Sequence, residues 1–249
     1  MNNTPAQALL LAAGRGERMR PLTDHIPKPL LEVQGKALLQ WHLEGLQRGG
    51  VHSVVINTAW LEEQLTERLG ARFDAPPLPP VDIRYSLEGR DFGGALETAG
   101  GIVRALPQLA PVFWVAAGDV YAPEFAFSGG DLARFAAGPA LAHIWLVPNP
   151  AHNPKGDFGL STAGLALNLA GDDNAPRYTF STMALYKQAF FADCGIAPGN
   201  PDGIKAPLAP FLRRGMDNGC VSATLFAGTW VDVGTPARLA ELNSGDSPV

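Results

Sequence analysis

A loop rich in small residues and cations follows the first apolar run of the chain. The run ends at Leu11, and the residues that come next are small: Ala12, Ala13, Gly14 and Gly16. Small residues let a backbone pass close to a ligand and turn its N–H groups toward an anion. The cations of the same stretch are Arg15, Arg18, Arg20 and Lys28. Because phosphates bind backbone N–H groups and cationic side chains, the loop predicts a polyphosphate site.

Two well-known nucleotide-binding loops fit this stretch poorly. A dinucleotide-binding fingerprint needs a third small residue three positions after Gly16, where the chain has Met19. A Walker loop ends in Gly-Lys-Ser or Gly-Lys-Thr, which is missing here. A Gly-x-Gly also follows strands by chance, and a run of arginines can be a solvated surface. The glycines and charges alone therefore leave a purely structural role open.

The order and spacing of the whole stretch resemble a known family. LAAGRGERMRPLT followed by PKPL is similar to the signature of the sugar-1-phosphate nucleotidyltransferases, and further matches extend the resemblance over most of the chain. The resemblance implies nucleotide contacts from Leu11, Ala12, Ala13, Gly14 and Gly16. It also implies catalytic contacts from Arg15 or Arg18 to the β- and γ-phosphates, and from Lys28 to the α-phosphate or the sugar phosphate.

Two aspartates stand at positions that suit a cation. Asp119 follows the near-continuously apolar stretch PVFWVAAG at once, and a carboxylate at the end of a buried strand is costly unless it binds a cation or is well hydrogen-bonded. An Asx cap of the next loop is the structural alternative. Asp232 lies in WVDVGT, which resembles the closing motif of the family. The resemblance implies that Asp119 and Asp232 are ligands of Mg²⁺, the expected cofactor.

Further nucleotide contacts are expected where other strands end. Asn57 closes the second strand, although a turn-forming Asn before a helix is an equal alternative. The resemblance places Glu88 and Thr98 against the base and Gly118 near the nucleotide. A carboxylate can accept a hydrogen bond from the imide N–H of uracil. More residues separate Glu88 from Thr98 than is usual in the family, so a flexible lid over the site is a competing interpretation.

The second half of the chain predicts a smaller region rich in strands. In the family this half covers the sugar phosphate, and the resemblance implies sugar contacts from Gly156 and Asp157. Ser181 and Thr182 are also expected to contact the sugar, in a stretch where the family often has Gly or Asn.

The order of elements predicts the fold that must position these residues. Strand, loop, helix, strand and helix follow one another from the first apolar run onward, which is typical of a doubly wound α/β fold with a mostly parallel, Rossmann-like sheet. Ligands of such sheets bind at the carboxyl ends of the strands. We expect one domain over 1–249, with a nucleotide-binding half at about 1–147 and a sugar-phosphate half, carrying the second metal ligand, at about 148–242.

Bulk composition excludes several classes of function. The net charge of −5, without a polybasic run, argues against nonspecific nucleic-acid binding. No stretch approaches the roughly 20 apolar residues of a membrane span, and the two cysteines show no metal-ligand spacing. We expect a cytoplasmic protein, monomeric or a small homo-oligomer, whose partners are small molecules rather than nucleic acid or membrane.

The leading hypothesis is Mg²⁺-dependent transfer of a uridylyl group from UTP to N-acetylmuramate 1-phosphate, with release of pyrophosphate, in cell-wall recycling. The same mechanism with mannose 1-phosphate and GTP, or with glucose 1-phosphate and UTP or dTTP, is the alternative. A non-catalytic sugar-nucleotide sensor is a third hypothesis, but Lys28 and both aspartates are present. An NAD-linked oxidoreductase is disfavoured by Met19 and by Asn57 at the end of the second strand.

Overall fold

A computed structural model describes residues 6–244 of the chain. Its α-helices are α1 (Leu38–Arg48), α2 (Glu62–Leu69), α3 (Glu88–Phe92), α4 (Glu97–Ala105), α5 (Gly129–Ala137), α6 (Ala209–Asp217) and α7 (Pro236–Ser244). Short 3-10 helices span Glu17–Met19, Leu22–Asp24, Lys28–Leu30, Leu106–Gln108 and Gln188–Phe191. The ends of the chain, 1–5 and 245–249, lie outside this description.

The strands are β1 (Ala6–Ala12), β2 (Glu32–Val33), β3 (Lys36–Ala37), β4 (Ser53–Thr58), β5 (Arg72–Phe73), β6 (Val81–Leu87), β7 (Leu109–Ala117), β8 (Val120–Tyr121), β9 (Ala142–Val147), β10 (Phe158–Leu160), β11 (Ala166–Leu167), β12 (Arg177–Lys187), β13 (Val221–Leu225) and β14 (Val231–Asp232). Within residues 6–244, ten of them form one sheet in which β1 lies between β7 and β4.

The centre of the sheet is parallel, and the part beyond β7 is mixed. Strands β7, β1, β4 and β6 pair in parallel, in that spatial order. Beyond β7 the sheet continues through β12, which pairs antiparallel with β7, β9 and β10. The expected α/β fold with a parallel central sheet is therefore confirmed. The strand-rich second region is present as the antiparallel strands β10, β11 and β12.

Both faces of the central sheet are covered, as a doubly wound fold requires. Leu9 of β1 belongs to a buried cluster that includes Ile102 of α4 and Leu212 of α6. Leu10, the next residue, belongs to a second cluster on the other face, with Leu43 of α1 among its members. Because successive side chains of a strand point to opposite faces, these near-continuous apolar strands are buried on both sides.

The segment between Glu88 and Thr98 is ordered into helices. Helix α3 covers Glu88–Phe92, and Gly93 ends it with a φ of 73°, a left-handed conformation that glycine adopts without strain. Helix α4 then begins at Glu97. A flexible lid was the competing interpretation of this segment, and the structure gives it two short helices. No helix within residues 6–244 has the length and apolarity needed to cross a membrane.

Candidate active site

A cavity of about 690 Å³ opens where β1, β4 and β7 end. Its volume is within the range of small-molecule sites, which is about 300–1,000 Å³. The predicted site residues that line it are Leu11, Ala12, Ala13, Gly14, Arg15, Lys28, Asn57, Thr98, Asp119, Asp157 and Thr182. Residues up to 171 positions apart in sequence, Leu11 and Thr182, thus share one cavity, at the strand ends where the fold class predicts a ligand.

A chain of buried hydrogen bonds holds the backbone where β1 ends. The Asn57 side chain accepts a hydrogen bond from the Ala12 N–H at 2.8 Å and donates one to Glu88 Oε1 at 2.8 Å. The second Glu88 oxygen accepts from the Leu96 N–H, also at 2.8 Å. Asn57 therefore acts on the loop through its side chain, and it joins the ends of β1, β4 and β6.

The structure places Glu88 one layer behind the cavity wall, whereas the sequence predicted it against the base. Its side chain is fully buried, and both carboxylate oxygens accept hydrogen bonds from the protein itself. Burial raises the pKa of this carboxyl, against the lowering effect of those hydrogen bonds. Gly101 of α4 makes room for the pair, since a Cβ there would lie 2.7 Å from Glu88 Oε1 and from the Asn57 amide nitrogen.

Thr98 and its neighbour Glu97 line the cavity at the start of α4. The first N–H groups of a helix have no acceptor within the helix. Ala206 O accepts hydrogen bonds from the N–H groups of Ala99 and Gly100, at 2.9 and 3.1 Å. The first two residues of α4 are therefore the ones that a ligand in this cavity can reach.

Gly16 and Gly118 do not line the cavity but let its walls approach closely. Gly16 has a φ of 67°, and a Cβ on it would lie 3.0 Å from Thr23 and 3.2 Å from Lys28 Cβ. A Cβ on Gly118 would lie 2.7 Å from Leu39 Cδ1 and 3.0 Å from Leu11 O. Larger residues at these two positions would push apart the elements that carry the cavity cations.

The two arginines of the loop lie in different surroundings. Arg15 lines the cavity and is held on three sides: it donates to Thr23 O at 2.7 Å and to Asp24 Oδ1 at 2.6 Å, and its guanidinium lies 3.8 Å from the centroid of the Trp60 ring. The hydrogen bond from Arg15 lowers the pKa of the Asp24 carboxyl. Arg18 is exposed and does not line the cavity.

Lys28 and Asp119 form a close ion pair in the cavity. Lys28 Nζ donates to Asp119 Oδ2 at 2.5 Å; the lysine side chain is 9% exposed and the aspartate side chain 40%. Lys28 begins a 3-10 helix after Pro27, and Asp119 follows β7. The carboxylate thus faces a cation, whereas the structural alternative for Asp119 was an Asx cap of the next loop.

Asp232 is brought beside Asp119 by a small two-stranded sheet. β14 pairs antiparallel with β8, and the Val233 N–H donates to Asp119 O at 3.0 Å. Asp232 Oδ1 lies 2.8 Å from His152 Nε2 and also accepts a hydrogen bond from Arg238. Arg18 approaches the same place, since a Cβ on Gly234 would lie 3.1 Å from Asp232 Oδ2 and 3.3 Å from Arg18 Nη2.

The two carboxylates suit a hard cation. Within residues 6–244, Asp119 forms its ion pair through Oδ2 and Asp232 forms its ion pairs through Oδ1, so each carboxylate has a further oxygen available. Mg²⁺ is usually held by one or two carboxylates together with phosphate oxygens and water. No cluster of three or more His, Cys, Asp or Glu suited to a metal occurs in the part of the chain that the structure describes. The donor set therefore fits an ion that a phosphate helps to bind.

Of the four residues predicted to contact the sugar, two line the cavity and two lie outside its lining. Asp157 and Thr182 line the cavity, whereas Gly156 and Ser181 do not. Asp157 Oδ2 accepts from the Phe180 N–H at 2.9 Å. Ser181 is fully buried and donates to Trp145 O at 2.7 Å. It belongs to an irregularity in the pairing of β12 with β9, where Thr182 has a φ of 65°.

Several residues of the site carry no local sequence signal. Phe158 lies in the turn that was predicted to line the cavity, whereas the lining residues Phe180, Ala184, Tyr186, Pro207, Leu208, Ala209, Leu212 and Arg213 were not predicted. The Tyr186 hydroxyl is buried and, within residues 6–244, has no hydrogen-bond partner. Burial raises the pKa of this phenol. His152 and Arg238, which contact Asp232, were likewise missed, because neither belongs to a recognisable motif.

Comparison with known proteins agrees with this geometry. Residues 7–160 match the model of the nucleotidyl transferase family. The chain therefore belongs to the nucleotidyl transferase family, which confirms the resemblance of the LAAGRGERMRPLT stretch and the predicted class of enzyme. The matched region contains the loop after β1, the Lys28–Asp119 pair and the turn at Asp157.

Two curated relatives share nearly the whole chain. It is 43% identical to the N-acetylmuramate alpha-1-phosphate uridylyltransferase of Neisseria meningitidis over 236 residues, 94% of this chain and 96% of that protein. It is 33% identical to the protein of the same name from Caulobacter vibrioides over 97% of this chain and 100% of the relative.

Solved structures agree in fold. HddC from Yersinia pseudotuberculosis, complexed with GMP-PN, superposes with a TM-score of 0.70 at 18% identity, covering 96% of this chain and 98% of that one. The inositol-1-phosphate CTP transferase from T. maritima has a TM-score of 0.67 at 16% identity, covering 95% of this chain and 94% of that one.

Proposed function

We propose that this protein transfers a uridylyl group from UTP to N-acetylmuramate 1-phosphate, giving UDP-N-acetylmuramate and pyrophosphate. The observation that carries the proposal is the cavity in which the small-residue loop after β1 and the Lys28–Asp119 pair meet the lining residues between 157 and 213, which we propose as the acceptor side. The names of the relatives that align over nearly the whole chain supply the substrates. We further propose that one domain over 1–249 carries the activity.

The reaction needs little proton transfer. The second pKa of a phosphate monoester is about 6, so most of the acceptor phosphate is already a dianion at neutral pH. An oxygen of that phosphate attacks the α-phosphorus of UTP, and the bond to the bridging oxygen of pyrophosphate breaks. The difficulty is the repulsion between two anions and the charge that develops on the leaving group. Positioning and electrostatic stabilisation therefore supply most of the catalysis.

Lys28 is the central cation of the proposed mechanism. Its ammonium is nearly buried, so its charge acts where little water screens it. We propose that it neutralises the α-phosphate or the incoming sugar phosphate, while its contact with Asp119 fixes its position. Arg15 is held by Asp24 and Trp60 at the other end of the loop, a position that suits the β- and γ-phosphates.

Asp119 and Asp232 would hold Mg²⁺ together with phosphate oxygens. The bound ion would supply charge neutralisation at the triphosphate. Arg18 lies beside Asp232 and would contact the same phosphates from the open side.

The remaining residues would position the two substrates. The backbone from Leu11 to Gly14, held through Asn57 and Glu88, would carry the nucleotide, and the start of α4 at Thr98 would contact its base. Asp157 and Thr182 would contact the acceptor sugar. We propose a cytoplasmic enzyme of peptidoglycan recycling, monomeric or a small homo-oligomer, because its proposed substrates are soluble phosphates of intracellular metabolism.

The test is a grid of pyrophosphate-release assays with Mg²⁺. UTP, GTP, dTTP, CTP and ATP are each combined with the 1-phosphates of N-acetylmuramate, N-acetylglucosamine, glucose and mannose. Release with UTP and N-acetylmuramate 1-phosphate, at least tenfold faster than with any other pair, is expected. A preference for another pair would contradict the named substrates and retain the mechanism, and no release with any pair would contradict both.

A further inference from the structure

Three cations line the cavity, and one of them differs from the others in its partners. Arg15 is paired with Asp24 at 2.6 Å, and Lys28 with Asp119 at 2.5 Å. Arg213 is the third. In the part of the chain that the structure describes, no carboxylate lies within 4.0 Å of Arg213; its Nη1 donates to the neutral Asn168 side chain at 2.7 Å. Arg213 thus brings an unbalanced positive charge to the cavity.

Arg213 lies on the acceptor side of the cavity. It belongs to α6, directly after Leu212, which is 1% exposed and also lines the cavity. Its guanidinium carbon is 5.2 Å from the centroid of the Phe158 ring. Phe158 follows Asp157 in the turn that the cavity shares with the predicted sugar contacts.

Neighbouring groups orient the guanidinium without cancelling its charge. The amide of Asn168 accepts from Arg213 and donates to both oxygens of Asp217, at 3.0 and 3.1 Å. Asp217 therefore fixes the amide rather than pairing with the arginine. The aromatic ring of Phe158 adds a favourable contact with a cation. One nitrogen of the guanidinium is engaged by Asn168, which leaves other N–H groups for a ligand.

We infer that Arg213 binds a carboxylate carried by the acceptor sugar and so determines which sugar 1-phosphate is used. This inference rests on the proposed function, because N-acetylmuramate differs from N-acetylglucosamine by a lactyl ether on carbon 3 that ends in a carboxylate. A guanidinium matches the geometry of a carboxylate and binds it more strongly than a neutral group does. N-acetylglucosamine, glucose and mannose 1-phosphates carry no such carboxylate.

The two ends of the acceptor would then be held by different cations. The phosphate on carbon 1 must reach the α-phosphorus near the Lys28–Asp119 pair. The inference places the lactyl group, on carbon 3, on the acceptor side of the cavity, where Arg213 lies. Arg213 is exposed, so water weakens the contact, and its removal should cost the affinity of one charged hydrogen bond rather than the whole activity.

The test replaces Arg213 and uses the adjacent arginine as a matched control. Arg213→Gln should lower kcat/KM for N-acetylmuramate 1-phosphate by about 10- to 100-fold, mainly through KM. It should change kcat/KM for N-acetylglucosamine 1-phosphate and the KM for UTP by less than about twofold. Arg214→Gln, on the same helix but outside the cavity lining, should leave all of these values unchanged. An equal loss with both sugars, or no loss with either, would overturn the inference.

Product binding separates this inference from the proposed function. By calorimetry the unaltered protein should bind UDP-N-acetylmuramate more tightly than UDP-N-acetylglucosamine, and Arg213→Gln should remove the difference. Equal affinities in the unaltered protein would overturn the role of Arg213 even if N-acetylmuramate 1-phosphate were a substrate. Arg213-dependent use of a different acidic sugar, glucuronate 1-phosphate, would support Arg213 and refute the named acceptor. Use of neutral sugars alone would refute both.

Discussion

The two sides of the cavity, which we propose bind the nucleotide and the acceptor, are built in different ways. On the nucleotide side the backbone at Ala12 is fixed by Asn57, and Asn57 by Glu88, through hydrogen bonds that are wholly inside the protein. On the acceptor side the hydroxyl of Tyr186 is buried without a partner among residues 6–244, and Arg213 has a neutral one. The comparison indicates a nucleotide side that is set before any ligand binds and an acceptor side whose polar groups retain unused capacity.

The two sides differ because different arrangements of strands carry them. The nucleotide side is carried by parallel neighbouring strands, whose carboxyl ends meet at one edge of the sheet. The acceptor side is carried by the antiparallel strands β10 and β12, by a pairing irregularity at Thr182 and by α6. Irregular backbone and separate elements thus hold the acceptor side, whereas regular parallel pairing holds the nucleotide side.

The largest effect is expected where the two sides meet. Lys28→Met removes the cation that both substrates approach, and we expect kcat to fall by about 10²- to 10³-fold, as is typical when one pre-positioned charge or donor is removed. UTP should still bind, because the backbone loop and Arg15 remain. The measurement is pyrophosphate release under saturating substrates, together with calorimetric binding of UTP.

Lys36→Met is the matched control for this substitution. Lys36 pairs with Glu44 at 2.8 Å, away from the cavity lining. We expect activity within about twofold of the unaltered protein. A similar loss of kcat in both variants would show that the effect comes from a general change of charge or stability.

The next effect tests whether the nucleotide side is fixed internally. Glu88→Ala leaves the Asn57 amide and the Leu96 N–H without their acceptor, so we expect a loss of about 3 kcal/mol in the free energy of unfolding. We also expect the KM for UTP to rise by about tenfold and the KM for the acceptor to change little. Denaturant unfolding and steady-state kinetics measure the two effects.

Glu67→Ala is the matched control for Glu88→Ala, because Glu67 is a glutamate at an exposed position of helix α2. Its stability should differ from the unaltered protein by less than about 0.5 kcal/mol. If Glu88→Ala raised the KM for the acceptor instead of the KM for UTP, the division of the cavity into two sides would be wrong.

A smaller effect concerns pH and the buried His42 behind β8. His42 of α1 is fully buried, and its Nε2 lies 2.8 Å from Val120 O, so it donates as a neutral ring. Burial lowers the pKa of His42 from 6.5 to about 4. Because the folded pKa lies below the ordinary value, the unfolded chain takes up the proton first, and stability is lost as pH falls from about 6.5 toward 4. Between pH 7 and pH 5 this loss should be about 2 kcal/mol.

The check is the free energy of unfolding across that pH range for the unaltered protein, His42→Gln and His25→Gln. His42→Gln can still donate to Val120 O but does not titrate, so its stability should depend less on pH. His25 is exposed, and its replacement should leave the slope as it was. Parallel curves for all three proteins would refute the assignment of the slope to His42.

The sequence predicts one side of the cavity better than the other. Asn57 and Asp119 each end a strand that an apolar run marks, and parallel pairing then brings such ends together. The register of β4 with β6 also places Glu88 near Asn57, because Thr58 pairs with Leu87. Asn57 precedes Thr58 in the sequence, and Glu88 follows Leu87. From this position, Glu88 could contact either Asn57 or a nucleotide base. Choosing between them requires the burial that only the folded chain shows.

The acceptor side lacks such marks. Arg213 and Arg214 are adjacent in the sequence and equal in type, and only the orientation of α6 makes one of them line the cavity. Asp232 was marked by its motif, whereas its partners His152 and Arg238 come from two other elements. Contacts made by tertiary packing leave no periodicity or spacing in the sequence, so the sequence alone does not predict them.

The smallest effect tests the unused capacity of the acceptor side. Tyr186→Phe removes a buried hydroxyl that has no partner among the described residues, so the free energy of unfolding should stay equal or rise by up to about 1 kcal/mol. Tyr85→Phe is the matched control: the Tyr85 hydroxyl donates to Gly70 O at 2.6 Å, and its removal should lower stability by about 1 kcal/mol. Denaturant unfolding compares the two. Because Tyr186 lines the cavity, a loss of stability equal to that of Tyr85→Phe would mean that its hydroxyl is satisfied within the protein, and the contrast between the two sides would then rest on Arg213 alone.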